Sequence, residues 1–380
     1  MAAGGIFATL LAVACVPPRA PVGAPLAPVA EEARAVPTPA DSAVAPRFYF
    51  ARPYGSEAQF NPVSQVLNEG FNTLLLVAED LRLRQQPFQP SLRNLGQTMQ
   101  HIGPTLNEYG WRRLVRNELL PLTAKEGGQW VPNWLDHLMG SGMVSARLAE
   151  WYRQHQVPHP AVMSYLTMTV SHVLNEVVER PGPRSADPVV DLLLFNNLGF
   201  VLFRNQHVQR WLSGPVQFTS WGRQPTLSRD GALENAGQSF VLRTRLPGTQ
   251  RWQFFYLYGN THLVGASRRL GGSGLALSAG AGWGSEVLIV TDAATDTRTV
   301  TLGPKAGMFL DRNASLLASI VWDRTRRSLL TLNVYPAWSA AHAWQPGVWV
   351  GVPERGGHWQ LGVVSRLGVG VGLGRAERRR

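Results

Sequence analysis

Two periodicities divide the chain. Up to about residue 213, apolar residues recur every three or four positions, the spacing of helices with one buried face; from about Gly214 they alternate with small or polar residues, the spacing of strands. In 58–80, Phe60, Val63, Val66, Leu67, Phe71, Leu74, Leu75 and Val77 predict one amphipathic helix. Weaker patterns predict helices over Ser91 to Met99, Leu106 to Leu120 and Asn133 to Tyr152, with Pro104, Pro121, Pro132 and Pro158 at the breaks. Ala161 to Glu179 predicts a helix on which Ser164, Thr167, Ser171, Asn175 and Glu179 form a polar stripe. Asp187 then offers an N-cap with Pro188 in the first helical position, and Val189 to Phe203 follows as a helix apolar nearly all round. Such a helix must be buried in protein or lipid.

The second half predicts strands over Trp252 to Tyr258 and Leu275 to Trp283. A hairpin of Ser319 to Asp323 with Leu329 to Tyr335 follows, then strands over Val348 to Val352 and one longer segment from Trp359 to Leu373. In Leu275 to Trp283 one face is Leu275, Leu277, Ala279, Ala281 and Trp283, and the other is Ala276, Ser278, Gly280 and Gly282. An apolar face opposite a small or polar one suits lipid outside and a crowded lumen inside. Leu277, Val350, Val363 and Val371 are then expected to face outward, and Trp252, Tyr256, Tyr258, Trp283, Trp322, Tyr335, Trp338, Trp344, Trp349 and Trp359 to form interfacial girdles. The fold class expected is α+β, a helical half followed by an antiparallel membrane β-barrel of about ten to twelve strands between Ser239 and Leu373. The same alternation fits a soluble β-sandwich or barrel, and the end in Gly374 to Arg380 lacks the aromatic residue typical of outer-membrane barrels.

The first residues change the picture. Met1 to Cys15 is a short apolar run of signal-peptide length, and Leu11-Ala12-Val13-Ala14-Cys15 resembles the bacterial lipobox, in which a cysteine after small residues is lipidated. Cys15 is the only cysteine and Val16 follows it, although no Lys or Arg precedes the run. Residues 16–46 are rich in Pro and Ala and bury too little to offset ordering entropy, so an extended tether is expected. The segments are therefore 1–15 signal, 16–46 tether, 47–213 helical domain, 214–374 β domain and 375–380 basic tail.

Charge excludes less than it suggests. The chain of 380 residues is 44% hydrophobic and 16% charged, so it can build real cores. Its net charge of +11 would ordinarily raise nucleic acid as a partner. Yet of 36 basic residues only Lys125 and Lys305 are lysines, and the arginines are scattered rather than clustered with stacking aromatics, which argues against it.

Candidate chemistry is sparse. His172 and Glu176 stand one helical turn apart, and Glu179 and Asp191 approach them if the two helices form a hairpin. A second histidine at metal-ligand spacing is missing, so these four are expected to form a structural polar network, with Arg180 or Arg204 as partner, and no metal or cofactor. His262 with Ser267, and Ser171 with His172, are the hydrolase-like pairs, without a nucleophile elbow or orienting acid.

The stretch His172-Val-Leu-Asn-Glu-Val-Val-Glu179, then Asp187-Pro-Val-Val-Asp to Gly199 and a glycine-rich β tail, resembles uncharacterised bacterial envelope proteins of the domain-of-unknown-function type. The resemblance implies outer-membrane strands after a Glu-bearing helix and a Pro-x-x-Asp helix, and no catalytic residues. The expected role is a non-enzymatic, lipid-anchored envelope barrel or scaffold whose partners are membrane lipid and other envelope proteins. The alternatives are a small pore lined by Arg243, Arg245 and Arg298, and an outer-membrane lipid hydrolase.

Overall fold

The computed structural model describes residues 47–78, 80–120, 130–183, 185–292, 297–323, 328–336, 346–353 and 358–373. Cys15, the signal, the tether and the basic tail lie outside the described residues.

Helices come first. Asn61 caps α1 (Pro62–Gly70): its Oδ1 accepts from Val63 N at 2.9 Å and Ser64 N at 3.0 Å, and Pro62 needs no donor there. The helix expected over 58–80 breaks at Phe71 and resumes as α2 (Leu74–Val77). Asn72 is the reason, since it leaves the helix to hold the sheet, accepting from Gln238 N at 3.1 Å on Oδ1 and taking Asn260 Nδ2 on its carbonyl at 2.6 Å. α3 (Phe88–Gln100) and α4 (Ile102–Tyr109) follow, and Gly110, at φ 90°, stops the helix expected to run on to Leu120. Short turns then give way to a π-helical segment, Val115–Leu119. A second π segment, Asn133–Gly140, leads into α5 (Ser141–Gln154). α6 (Pro160–Glu179) matches its predicted span closely.

Asp187 opens the next helix from inside rather than capping it: Ala186 holds the N-cap position, and a third π segment, Val190–Phe195, precedes α7 (Asn196–Leu202) and α8 (Gln206–Ser213). α5 and α7 cross where glycines let backbones touch. A Cβ on Gly199 would lie 2.5 Å from the Leu138 carbonyl oxygen, and one on Gly142 would lie 2.4 Å from the Phe203 ring. Met143, Val144 and Leu148 of α5 are fully buried beside Phe203, Phe218, Phe240 and Tyr258, which seats the helical half on the strands.

The strands form one sheet of 13, mostly antiparallel: β1 (Thr219–Gly222), β2 (Thr226–Ser228), β3 (Leu233–Glu234), β4 (Gln238–Arg245), β5 (Trp252–Gly259), β6 (Thr261–Leu270), β7 (Leu275–Asp292), β8 (Thr297–Arg312), β9 (Ser315–Asp323), β10 (Leu330–Val334), β11 (Gly347–Val352), β12 (Gln360–Val364) and β13 (Gly370–Gly372). The order is β1-β4-β5-β6-β7-β8-β9-β10-β11-β12-β13-β2-β3, with β13 and β2 parallel. The count exceeds ten to twelve because β1 to β3 precede Ser239 and are too short to show alternation. The segment from Trp359 to Leu373 is two strands rather than one, turned back at Gly368 with φ 71°.

β1 and β2 stand near opposite ends of this order yet are joined only by Arg223, Gln224 and Pro225. Laid flat, eleven interstrand steps would separate them by about 50 Å, whereas that connection reaches at most about 14 Å. The sheet therefore rolls up, although no ladder among the described residues joins β1 to β3 and closes it.

The glycine crossing yields a direct expectation. Gly199→Leu should destabilise the protein by about 3 kcal/mol, because backbone rather than a flexible side chain occupies the space. Gly103→Ala, with nothing within 4 Å of the added methyl, should be neutral or stabilising. Denaturant midpoints of the two variants check this; equal midpoints would refute the packing argument.

Candidate functional site

The sheet's two faces carry the clearest pattern in the molecule. Cross-strand register places Phe254, Ala266, Ala279, Met308, Ile320, Leu332, Val350 and Leu361 in one row across β5 to β12. A second row, two residues along each strand, is Tyr256, Val264, Ala281, Ala306, Trp322, Leu330 and Val352. On the other side runs Leu277, Leu310, Ala318, Val334, Val348, Val363 and Val371. None of these residues is charged, and all are on the outside of the roll: Met308 is 51% exposed, Ile320 48% and Val371 62%. Leu277 and Val363 are exposed and Val350 half-buried, on the outer face as expected.

The inner row in the same register is Gln253, Ser267, Ser278, Phe309, Ser319, Asn333 and Trp349. Its polar members are buried and hydrogen-bonded, Ser278 Oγ donating to Ser267 Oγ at 3.0 Å and Asn333 Nδ2 to Ser319 Oγ at 3.4 Å. Charges inside are paired. Arg243 grips Asp311 bidentately at 2.8 and 3.1 Å, and Lys305 donates to Asp323 at 2.8 Å. Trp221, Val241, Phe255, Leu257, Leu263, Phe309 and Tyr335 fill the rest and leave a cavity of about 40 Å³, the size of one or two waters.

Several expectations need correction here. Tyr258, Tyr335 and Trp349 are not girdle residues: Tyr258 lies under the helices, Tyr335 donates inward to the Gly222 carbonyl at 2.9 Å, and Trp349 Nε1 donates to Thr226 Oγ1 at 3.2 Å. Trp338 and Trp344 lie outside the described residues. Arg243 is locked to Asp311, Arg245 is exposed, and the side chain of Arg298 lies outside the description, so the lumen-lining trio is not assembled. His262 and Ser267 are five residues apart on one strand and so take opposite faces; His262 pairs with the Tyr256 hydroxyl at 2.8 Å instead. Ser171 Oγ is spent on the Thr167 carbonyl at 2.9 Å.

The second concentration of chemistry is buried among the helices. His172 and Glu176 on α6 and Asp191 on the third π segment are all buried, and Glu179 is half-buried. The structure brings Asp191 and His172 together through His137, which the sequence pattern did not single out: its Nε2 faces Asp191 Oδ2 at 3.4 Å, its Nδ1 faces Asn196 Oδ1 at 3.2 Å, and its ring lies 5.4 Å from that of His172. Glu179 accepts from Asn175 Nδ2 at 2.8 Å. Arg204 is not a partner; it is exposed and stacks over Phe200 at 5.4 Å. Arg180 donates to Gln86 Oε1 at 2.9 Å.

Glu69 on α1 and Asp136 beside His137 complete the cluster electrostatically. Two of the three π segments present Asp136, His137 and Asp191, and π-helical turns are frequent where a helix must aim side chains at a site. Burial, then the charge of Asp136, pushes the Glu69 carboxyl up to about 7. Burial also pushes Asp136 to about 7, with Glu179 adding to the rise and His137 opposing it. Burial and then the neighbouring His137 hold His172 well below the ordinary imidazole range, and neither of its ring nitrogens has a hydrogen-bond partner. Both carboxyls therefore keep their protons to higher pH than exposed carboxylates do. Among the described residues no three His, Cys, Asp or Glu side chains are placed to hold a metal.

No family model, curated protein or solved structure matches the chain.

The cluster sets a pH dependence. Glu69 and Asp136 keep protons when folded that the unfolded chain has shed, so their contribution to stability falls as pH rises from about 4 through about 7. His172 acts oppositely, costing stability as pH falls below about 6.5, where only the unfolded chain takes up the proton. Asp136→Asn should therefore be more stable than wild type at pH 8, by on the order of 2 kcal/mol, with the gap closing toward pH 4. Urea midpoints across that range check it; a gap that widens on acidification would contradict the assignment.

Proposed function

We propose that the chain is a non-enzymatic protein of the bacterial envelope, its rolled sheet embedded in the outer membrane and its N-terminus lipid-anchored at Cys15. The observation carrying this reading is the set of three outward apolar rows running in register across the strands above an interior of ion pairs, hydrogen-bonded side chains and packed aromatics. In water such rows would leave a contiguous apolar face exposed, a feature that marks an interaction surface rather than an ordinary soluble one.

The helical half points the same way. On α6 the polar stripe is what is buried, Ser164 and Ser171 completely, whereas Val162 is 55% and Leu166 50% exposed. Leu193, Leu194, Leu198 and Val201 are likewise exposed. That is the reverse of a water-facing amphipathic helix, and small polar residues at helix contacts are the packing used where the surroundings are apolar. No helix of the described residues is long and apolar enough to cross a membrane, so the sheet is the proposed spanning element.

Membrane lipid is the proposed partner, with other envelope proteins docking on the helices. A conducting pore is disfavoured by the filled interior, and a hydrolase by the separation of His262 from Ser267. Two measurements test the proposal. The membrane-fraction protein should migrate differently on gels with and without heating, and Ile320→Arg, in the middle of a row, should cost about 2–4 kcal/mol of stability in lipid. Full solubility without detergent, together with insensitivity to Ile320→Arg, would select the soluble β-sandwich instead. Mass spectrometry of the mature N-terminus should find diacylglycerol on Cys15; an unmodified start downstream of it would remove the anchor from the proposal.

A further inference from the structure

A cavity of about 230 Å³ opens where the N-terminal segment 47–57 crosses the end of the rolled sheet at the β4–β5, β6–β7 and β8–β9 turns. Five arginines line it, Arg47, Arg52, Arg147, Arg243 and Arg269, against two carboxylates, Glu57 and Asp311. Both carboxylates are already taken: Arg52 pairs with Glu57 at 2.5 Å, and Arg243 holds Asp311 at 2.8 Å. Arg47, Arg147 and Arg269 have no acidic partner among the described residues.

Arg147 is the decisive group. It is 4% exposed, its Nη1 donates to the Ser220 carbonyl and hydroxyl at 3.0 and 2.8 Å, its guanidinium stacks 3.9 Å over Phe60, and its Nε has no partner. Arg47 Nε is also buried without a partner. Only neutral acceptors hydrogen-bond the Arg147 guanidinium; Glu57 and Glu150 attract it through space, but burial outweighs them and disfavours its charge, a cost that an anion bonded to the free Nε would offset. Glu150 on α5 attracts Arg147 without bonding it: its oxygens accept the backbone N–H groups of Arg47, Phe48 and Tyr49 at 2.7–2.8 Å and so fix the wall of the cavity.

We propose that this cavity binds a phosphoryl group. Several guanidiniums without acids of their own match a tetrahedral dianion, whose oxygens accept from planar forks in pairs. The volume is below the range of drug-sized ligand pockets and suits a headgroup-sized anion. The aromatic walls Phe48, Phe50 and Phe218 supply an apolar rim for the ester-bearing side.

The group comes either as free phosphate or as the headgroup of a phospholipid, and the test separates the two. The full-length protein, in a non-ionic detergent at fixed ionic strength, is titrated with inorganic phosphate and, separately, with mixed micelles of phosphatidylglycerol or of uncharged diacylglycerol. Saturable binding of phosphate assigns the free anion; binding of phosphatidylglycerol but not of phosphate or diacylglycerol assigns the headgroup. Arg269→Gln, at an exposed position that leaves the fold intact, should weaken binding roughly tenfold, and Arg47→Gln/Arg269→Gln roughly a hundredfold. Arg147→Lys, which keeps the charge but loses the fork, should also weaken it. Absence of saturable binding in both titrations overturns the proposal, as does wild-type affinity in the double variant. Neither result depends on whether the sheet spans a membrane.

Discussion

Three residues between β1 and β2 govern the rest of the molecule. Because Arg223, Gln224 and Pro225 tie together strands from near opposite ends of the ladder, the sheet has no flat solution and must acquire an inside and an outside. The gap is bridged by side chains rather than by a ladder. Gln224 is fully buried and donates to the carbonyls of Val334 and Val348 at 3.2 Å, while Asn235 donates to Asn333 Oδ1 at 2.8 Å across the interior. Side-chain donors on a rolled sheet cost more ordering than a continuous ladder, but they let β2 leave β1 and run parallel to β13.

The same mouth is stitched by the N-terminal segment. Gly55 N bonds to the Pro336 carbonyl, Glu57 N donates to Ser315 Oγ at 3.1 Å, Gln59 Nε2 reaches the Ser365 carbonyl at 3.2 Å and Asn61 Nδ2 reaches that of Leu367 at 3.0 Å. These contacts tie together the successive β8–β9, β10–β11 and β12–β13 connections at one end of the sheet. Gly368 belongs to this seam, since a Cβ there would lie 2.6 Å from the Gln59 carbonyl oxygen. This short crossing adds to the other fastenings of the helical half, the Asn72 bonds to Gln238 and Asn260 and the apolar contact of α5 with Phe240 and Tyr258 on the sheet's outer surface.

What the residue pattern could and could not reveal follows from range. The α6 span was legible because its boundaries are local, Pro160 at one end and a left-handed Arg180 at the other. Outward Leu277 was legible because alternation needs only one strand. The π segments were not, since a π turn differs from an α turn by one residue and leaves the apolar spacing almost unchanged. His137 and Asp136 were hidden for the same reason, lying in a stretch read as one ordinary helix; two adjacent ionisable residues amid Trp134, Leu135, Leu138 and Met139 were the available signal. Tyr335 and Trp349 were misplaced as girdle residues because aromatic identity says nothing about which face the register assigns. The partners of His172 depend on contacts across 35 residues and no local pattern holds them.

Both halves obey one inversion, and it bears on why the buried cluster survives. In the sheet, paired charges and hydrogen-bonded polar residues share the inside with packed aromatics while apolar rows face out; in α6, Ser164, Thr167 and Ser171 are buried while Val162 and Leu166 are exposed. These ionisable groups are buried away from solvent, so each carboxyl must find a donor or keep its proton. Glu150 took the first course, using three backbone N–H groups, and Asp311 and Asp323 took it with Arg243 and Lys305. Glu69 and Asp136 take the second, both raised by burial, Glu69 further by the charge of Asp136 and Asp136 by that of Glu179. Their protonation therefore follows from the same segregation that sets the apolar rows on the outside, and a change that wetted the helical interior would restore ordinary carboxylates without altering a single contact of the sheet.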